Sequence, residues 1–440
     1  MDFKFKEAFA KVKTLFLHGS TEENFGKKII VGASTYEEVH STLVDYQNSA
    51  IRRKNMKWAF TTLQLHLAMD IEALKVTLKQ MEVENPEMDS MSPIGYAYRG
   101  TQDHLNSLYK IADGIAFRFL DFNYQLMRVL AFNTVSTFNL SDIGHQHEVQ
   151  TFCAISDSSN SNAQSLWCGL NKILNIGDVI IKSENSFEVI EIKKGKSSRN
   201  SRIKRQKARM EELKDFFEDG AAKFSDLGVK LKYFKPRHHF LNKLQGGFDL
   251  AMEMGPQLLE LADYHLVYCL FIPAMDFKKL LDVQNEIIKI TEERFHGEQY
   301  VVVSSRDGRF GNATLIPTTV FPLKSELICH LLLGGAIYFS IFSWSGLKRY
   351  LEKLGWSVKD LTTDPINELE KEGLPVLFLS KQINGGKIDV SIPLDFINSM
   401  LFELMSFDSY LDSYTNPEQS FPQGANYWAP VFENDERLWK

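Results

Sequence analysis

The stretch that decides the fold of the central part of this chain is GDVIIKSENSFEVIEIKKG, residues 177–195. Two runs rich in β-branched residues, 178–181 and 187–192, flank a polar segment at 182–186. Such runs joined by a short polar segment are typical of a β-hairpin. We therefore expect two antiparallel strands here, and the strongly basic sequence that follows them predicts a helix.

The register of this hairpin follows from the position of its turn. If the turn is centred between residues 184 and 185, Asp178 lies directly opposite Glu191, with Cβ atoms about 4.5 to 5.5 Å apart. Side chains alternate along a strand, so Lys193 shares the face of Glu191. Two adjacent carboxylates repel each other unless a cation lies between them, and their oxygens are ligands that suit Mg²⁺. Asp178 and Glu191 are therefore candidate ligands for Mg²⁺ or Mn²⁺, and Lys193 is placed to steer an attacking water.

The segment after the hairpin has the apolar spacing of a helix that buries one face. Its apolar residues recur at intervals of three and four between Ile203 and Phe217, which is the helical period. Gln206 is the polar member of this stripe. The spacing therefore predicts that Gln206 faces the same side as the core residues.

Taken together, these residues resemble the signature of the PD-(D/E)XK nuclease superfamily. That signature is an acid on one strand, an acid-x-lysine on the next strand and often a glutamine on the following helix. Asp178, Glu191, Lys193 and Gln206 occupy those places, and the resemblance covers about residues 145–240. It implies a restriction-endonuclease-like fold in which the acids bind a divalent metal, the lysine positions or polarises the nucleophilic water, and the glutamine supports the site.

Three further positions bear on this resemblance. Gly177 stands where the motif name has proline, and Met210 stands where many members with the helix glutamine have a tyrosine. Many members also carry an acid on the helix before the hairpin, and Glu148 holds that place in the sequence, which makes it an additional candidate acid.

Positive charge is concentrated in one part of the chain. The net charge of the 440 residues is −6, yet residues 191–210 contain nine lysines and arginines against the single acid Glu191. Clustered cations on a helix are typical of a surface that binds nucleic-acid phosphates. The candidate phosphate-binding residues in and before this helix are Lys194, Lys196, Arg199, Arg202, Arg205 and Arg209.

A second basic segment, residues 229–240, interleaves cations with aromatic residues and contains no acid. One interpretation is a third core strand whose far side is solvated. The other is that Lys232, Lys235 and Arg237 contact phosphates while aromatic rings stack on exposed bases. The sequence leaves both interpretations open.

Two function classes are compatible with the central motif. Glu-x-Lys on a strand is often only an exposed ion-pairing face, but apolar residues on both faces of 187–192 favour a strand inside a sheet. The first hypothesis is a Mg²⁺-dependent endonuclease that cleaves nucleic acid, with DNA favoured over RNA, and by analogy a regulated bacterial enzyme of defence against foreign DNA. The alternative is a non-catalytic nucleic-acid-binding or assembly protein with an inactive nuclease-like core.

Length and periodicity divide the chain into three regions. We expect a mainly helical region at 1–140, the nuclease-like domain at 141–272 and an α+β region of unknown role at 273–440. The fold class is accordingly α/β in the centre and α+β overall. In outline, the sequence predicts helices over about 35–85, 104–132 and 242–261, a loop at 86–100, a short helix at 166–174, a third core strand from 229, two helices within 325–355 and a hairpin across 384–386.

The composition also suggests the environment and partners of the protein. Its four cysteines have no paired spacing, so neither a zinc site nor a disulfide framework is expected, and a cytoplasmic location fits best. Residues 327–344 approach the length of a membrane span, but His330 and the glycine pair at 334–335 favour a buried helix, and no membrane partner is expected. The flanking regions leave room for a homo-oligomer or a partner protein.

Overall fold

The structure is a computed structural model of the 440-residue chain. It describes residues 36–52, 57–89, 92–120, 143–157, 164–171, 174, 178–182, 187–190, 192, 221–224, 229–232, 239–272, 277–305, 318–361, 375–383, 386–408 and 411. Within these residues, helices alternate with antiparallel sheets, which confirms the α+β class.

Three long helices form the N-terminal part of the described chain. They are α1 (Tyr36–Arg52), α2 (Lys57–Glu84) and α3 (Pro93–Phe119). The helical stretch expected over 35–85 thus contains α1 and α2, and residues 53–56 between them lie outside the described residues. The loop expected at 86–100 is wrong in its second half, because the Ser92 hydroxyl accepts a hydrogen bond from the amide of Gly95 at 3.0 Å and caps a helix that starts with proline.

The central hairpin has the predicted register. After α4 (Ile143–Asp157) come β1 (Gln164–Trp167), a 3₁₀ turn, β2 (Val179–Lys182) and β3 (Phe187–Ile190), which pair in the order β1-β2-β3. Val179 pairs with Ile190, and Lys182 pairs with Phe187. The short helix expected at 166–174 is wrong, because 164–167 instead forms the outer strand of this sheet and, of the described residues in that range, only Cys168–Leu170 are helical.

The strand expected from residue 229 is present, but it belongs to a second small sheet. This strand, β5 (Val229–Lys232), pairs antiparallel with β4 (Ala221–Phe224). The order of the first sheet, β1-β2-β3, does not include it. In the described residues, the third strand of the hairpin's sheet is therefore β1, whereas β5 pairs with β4.

A four-stranded sheet is the largest in the described residues. Its order is β6 (Gln257–Ala262), β7 (His265–Phe271), β9 (Ala336–Ser343) and β8 (Tyr300–Ser304), all antiparallel. The helix α5 (Leu241–Met254) packs on one face of it. The other face packs against α6 (Phe277–Arg294).

The helix expected over 242–261 ends earlier than predicted. The residue that ends it is Gly255, whose backbone has a φ of 87°. Most side chains disfavour this conformation and glycine does not. The chain then turns into β6, so 257–262 is an edge strand and the expectation of helix there is wrong.

The apolar stretch at 327–344 is a helix followed by a strand, so the expectation of one buried helix is wrong. The helix α7 (Ser325–Leu333) ends at Gly334, which has a left-handed conformation with φ 79°. The strand β9 follows at once and lies in the middle of the four-stranded sheet, which explains why the sequence is apolar throughout. None of the helices in the described ranges is long and apolar enough to cross a membrane.

The C-terminal part of the described chain carries another small sheet. After α8 (Trp344–Lys353), the strands β10 (Ser357–Asp360), β11 (Pro375–Ile383) and β12 (Gly386–Pro393) pair in that order, and α9 (Leu394–Glu403) follows. The predicted hairpin is confirmed, with Ile383 paired to Gly386.

One large cluster of buried apolar residues contains members from all three regions expected from the sequence. It includes Leu108 of α3, Ile180 of β2, Val267 of β7 and Ile328 of α7. A smaller cluster fills the space between α8, β11, β12 and α9. The described parts of the three regions thus share packing, and their boundaries stay a prediction.

Candidate active site

Asp178 lies directly before β2 and is hydrogen-bonded by residues of both neighbouring segments. On the β1 side, its carbonyl oxygen accepts a hydrogen bond from the amide of Cys168 at 2.9 Å. On the β3 side, its own amide donates to the carbonyl of Ile190 at 2.8 Å, and its carboxylate Oδ2 accepts from the amide of Ile192. The two described residues on either side of position 191 therefore both bond to Asp178.

Glu148 projects from α4 toward the end of β1. The indole Nε1 of Trp167 donates a hydrogen bond to its Oε2 at 3.0 Å. A Cβ atom at Gly169 would lie only 2.7 Å from the same oxygen, so the glycine leaves the space that this carboxylate occupies. Glu148 is half-buried, and its position is set by one strand residue and one residue of the following turn.

Besides burial, the negative charges of Asp178 and Glu148 both raise the pKa of the same buried thiol, that of Cys168. The pKa of Cys168 is raised well above its ordinary value, first by burial, then by the negative charge of Asp178 and then by that of Glu148. A backbone hydrogen bond at Ile180 opposes this shift. Cys168 therefore remains a neutral thiol, and the two carboxylates lie at the same end of the three-stranded sheet.

A residue that the sequence did not indicate holds the outer edge of this sheet. The side chain of Gln64, on α2, is fully buried and bonds to the backbone of β1 at two points. A buried polar residue among the core residues Leu63, Leu67 and Ile71 was the available signal. That signal does not identify the partner, which lies about 100 residues further along the chain.

The other candidate site residues fall where the structure gives no side-chain description. Glu191, Lys193 and Gln206 lie outside the described residues, and so does most of the basic surface. Lys232 is the last residue of β5, but its side chain is outside the description. The remaining candidate cations outside the described residues are Lys194, Lys196, Arg199, Arg202, Arg205, Arg209, Lys235 and Arg237.

The described carboxylates have the right donor chemistry for the expected metal. Asp178 and Glu148 offer oxygen ligands, which Mg²⁺ and Mn²⁺ prefer, usually from one or two carboxylates together with waters and substrate phosphate. Within the described ranges, no group of three or more histidine, cysteine or acidic side chains is arranged to hold a metal ion. Glu191, the second expected ligand, is not among those residues.

All four cysteines of the chain lie in described residues and are free thiols. Cys168, Cys269 and Cys329 are buried, and Cys153 is half-buried. Burial raises the pKa of Cys269 to about 12. The three buried thiols are therefore core residues rather than reactive nucleophiles.

Comparison with known proteins adds no relative to this description. No family model, no curated protein and no solved structure matches the chain.

Proposed function

We propose that the chain is a metal-dependent nuclease whose region 141–272 has a restriction-endonuclease-like fold. The observation that carries this proposal is the hairpin register, in which Val179 pairs with Ile190 and Asp178 bonds to the residues on both sides of position 191. Continued by one residue, that register pairs Asp178 with Glu191. Glu148 approaches the same end of the sheet, as an acid on the preceding helix does in many members of the resembled superfamily.

Each residue has a defined role in the proposed reaction. Asp178 and Glu191, with Glu148 as an additional acid, would hold Mg²⁺ or Mn²⁺. The bound cation would supply positive charge to the phosphate and make a water more acidic. Lys193 would orient that water and offset the charge that develops on the phosphate while the new bond to phosphorus forms and the bond to the leaving oxygen breaks. Gln206 would support the arrangement from the following helix.

The substrate of the proposed enzyme is nucleic acid, with DNA favoured over RNA. The concentration of lysine and arginine at 191–210, against a chain that is acidic elsewhere, supports this substrate class. Binding through these cations should weaken as the salt concentration rises, because it releases counterions from the phosphates. A role in bacterial defence against foreign DNA rests on analogy with the resembled superfamily alone.

Substitution of the two central acids tests the proposed reaction. We expect Asp178→Ala and Glu191→Ala to lower Mg²⁺-dependent cleavage of labelled DNA at least about 100-fold, while DNA binding measured by anisotropy is retained. Chelator should stop cleavage by the wild type, and added Mg²⁺ or Mn²⁺ should restore it. The matched control is Glu188→Ala. Glu188 is an exposed acid on β3, and by strand alternation its side chain is on the other face of the sheet from that of residue 191.

The same experiment separates the catalytic proposal from its alternative. A wild-type protein that binds DNA or RNA but cleaves neither with either metal would support a non-catalytic binding or assembly protein built on a nuclease-like core. Cleavage by Glu191→Ala at the wild-type rate would contradict the proposed site. The basic segment 191–210 favours nucleic-acid binding under both functions.

A further inference from the structure

The outer edge of β1 would be an open sheet edge without a partner from elsewhere in the chain. β1 is the first strand in the order β1-β2-β3. The amide of Cys168 bonds across to Asp178, so the backbone groups of alternate residues point toward β2 and those of Ser165 and Trp167 point away from it. Ser165 and Trp167 are 1% and 0% exposed, so water does not reach this edge.

Among the described residues, Gln64 occupies this edge, where a fourth strand could otherwise pair. Its amide Nε2 donates to the carbonyl of Ser165 at 3.0 Å, and its Oε1 accepts from the amide of Trp167 at 2.9 Å. A neighbouring strand would offer the same two groups: a donor for the carbonyl of Ser165 and an acceptor for the amide two residues further along. Among uncharged side chains of this length, glutamine alone carries both groups.

The segment that Gln64 holds, the end of β1, also contacts Glu148 and Asp178, the two described acids. The indole of Trp167 donates to the carboxylate of Glu148, and the amide of the next residue, Cys168, donates to the backbone carbonyl of Asp178. A shift of β1 at Trp167 would therefore change both contacts at once.

We propose that Gln64 is a positioning residue for Glu148 and Asp178, so that the N-terminal helix α2 is part of the candidate active site rather than a separate module. Its catalytic meaning rests on the proposed nuclease function. The positioning itself is a statement about β1 and can be tested without any cleavage.

The test replaces the hydrogen bonds of Gln64 while its volume is kept. Gln64→Met has a similar length and no hydrogen-bonding amide, so the hydrogen bonds from Gln64 to two buried backbone groups are lost. Gln64→Glu retains the acceptor for Trp167 and loses the donor for Ser165 while ionised. The matched control is Ile71→Ala, two turns further along the same helix and fully buried, which removes core packing without removing a hydrogen bond.

Two readouts report on β1 and two report on the site. The first pair is hydrogen exchange at the Trp167 amide and the Trp167 indole N–H signal, identified among the six tryptophans by its loss in Trp167→Phe. The second pair is Mn²⁺ affinity by calorimetry and the rate of DNA cleavage. We expect Gln64→Met to speed exchange at Trp167, to shift its indole signal and to weaken Mn²⁺ binding about 10- to 100-fold.

Each outcome decides one of the two claims. Ile71→Ala should lower the melting temperature and leave the indole signal and the Mn²⁺ affinity unchanged, and Gln64→Glu should fall between wild type and Gln64→Met. A wild-type indole signal in Gln64→Met would overturn the positioning role, whatever its melting temperature. If the wild type neither binds Mn²⁺ nor cleaves, the proposed function fails, while the exchange and indole readouts still decide whether Gln64 holds β1.

Discussion

At the scale of single residues, Asp70 is an acid that folding makes harder to ionise. It projects from α2 and accepts a hydrogen bond from the hydroxyl of Tyr46 on α1. Burial raises the pKa of Asp70 from 3.8 to about 6, and the hydrogen bond from Tyr46 opposes that rise. The folded protein therefore binds a proton at this carboxyl more tightly than the unfolded chain does.

The sign of the resulting pH dependence is fixed by this shift. Between pH 3.8 and 6 the folded state holds more protons at Asp70, so its contribution to stability falls as the pH rises through that window. Above it, the ionised carboxyl costs up to about 3 kcal/mol of unfolding free energy. We expect Asp70→Asn, which keeps an acceptor for Tyr46, to be more stable than the wild type at pH 7.5.

Urea unfolding at pH 4 and pH 7.5 checks this prediction. The stability difference between Asp70→Asn and wild type should favour the variant by about 1 to 3 kcal/mol more at pH 7.5 than at pH 4. Tyr46→Phe should have the opposite effect at neutral pH, because it removes the hydrogen bond that stabilises the ionised form. A difference between Asp70→Asn and wild type that does not change with pH would contradict the shift.

At the scale of elements, α5 packs so closely on the four-stranded sheet that one helix position has no room for a side chain. A Cβ atom at Gly247 would lie 2.5 Å from Cδ1 of Leu259 on β6 and 3.1 Å from Sγ of Cys269 on β7. The preceding residue, Gly246, faces solvent, and a Cβ atom there would meet nothing within 4 Å.

These adjacent glycines predict opposite effects of the same substitution. Gly247→Ala should lower the unfolding free energy by about 1 to 3 kcal/mol, because the added methyl group would overlap the side chains of Leu259 and Cys269. Gly246→Ala should raise it by about 0.5 to 1 kcal/mol, since alanine loses less backbone entropy in an exposed helix. Thermal unfolding of both variants beside the wild type measures the pair, and equal effects would refute the packing described here.

The start of α3 supplies a second prediction for an element. Ser92→Ala removes the hydroxyl that accepts from the amide of Gly95, and we expect a loss of about 1 kcal/mol. Ser92→Thr keeps the hydroxyl and should lose less than half of that amount. Far-ultraviolet circular dichroism during urea unfolding gives both values, and an unchanged midpoint in Ser92→Ala would show that the cap contributes nothing.

The local sequence indicates some elements of this fold and not others. The register of the hairpin could be predicted, because the turn and the alternation of apolar residues are local features of the sequence. The position of Asp178 beside β3 follows from that register. The strand β9 could not, because a strand buried on both faces is apolar throughout and has no periodicity that separates it from a helix. The contact of Gln64 with β1 could not be predicted either, because nothing in the sequence around one partner indicates the other, about 100 residues away.

At the scale of the whole molecule, two buried histidines and one half-buried histidine make stability depend on pH in the opposite sense to Asp70. Burial lowers the pKa of His265 to about 3 and that of His104 to about 4. Burial, and then the neighbouring His40, lowers the pKa of His330 to about 4. The folded protein holds these imidazoles neutral in three different parts of the fold.

We therefore expect stability to fall as the pH drops from 6.5 toward 4. In that range the unfolded chain takes up protons at these sites and the folded protein does not, so each fully buried site costs up to about 1.4 kcal/mol per pH unit. His265→Gln and His104→Gln should each reduce the slope of stability against pH in this range. Urea unfolding at half-unit steps measures the slopes, and slopes equal to that of the wild type would exclude these histidines as the cause.

The contact between Gln64 and β1 also has a meaning for the order in which the chain is made. The ribosome releases residue 64 about 100 residues before it releases β1, and N-terminal segments fold first during synthesis. The segment that shields this strand is therefore synthesised before the strand is. In a nascent chain, Gln64 of the same chain is thus available to bond the outer edge of β1 as soon as that strand is made. This bonding would protect the edge from pairing with a strand of a neighbouring chain and so from aggregation.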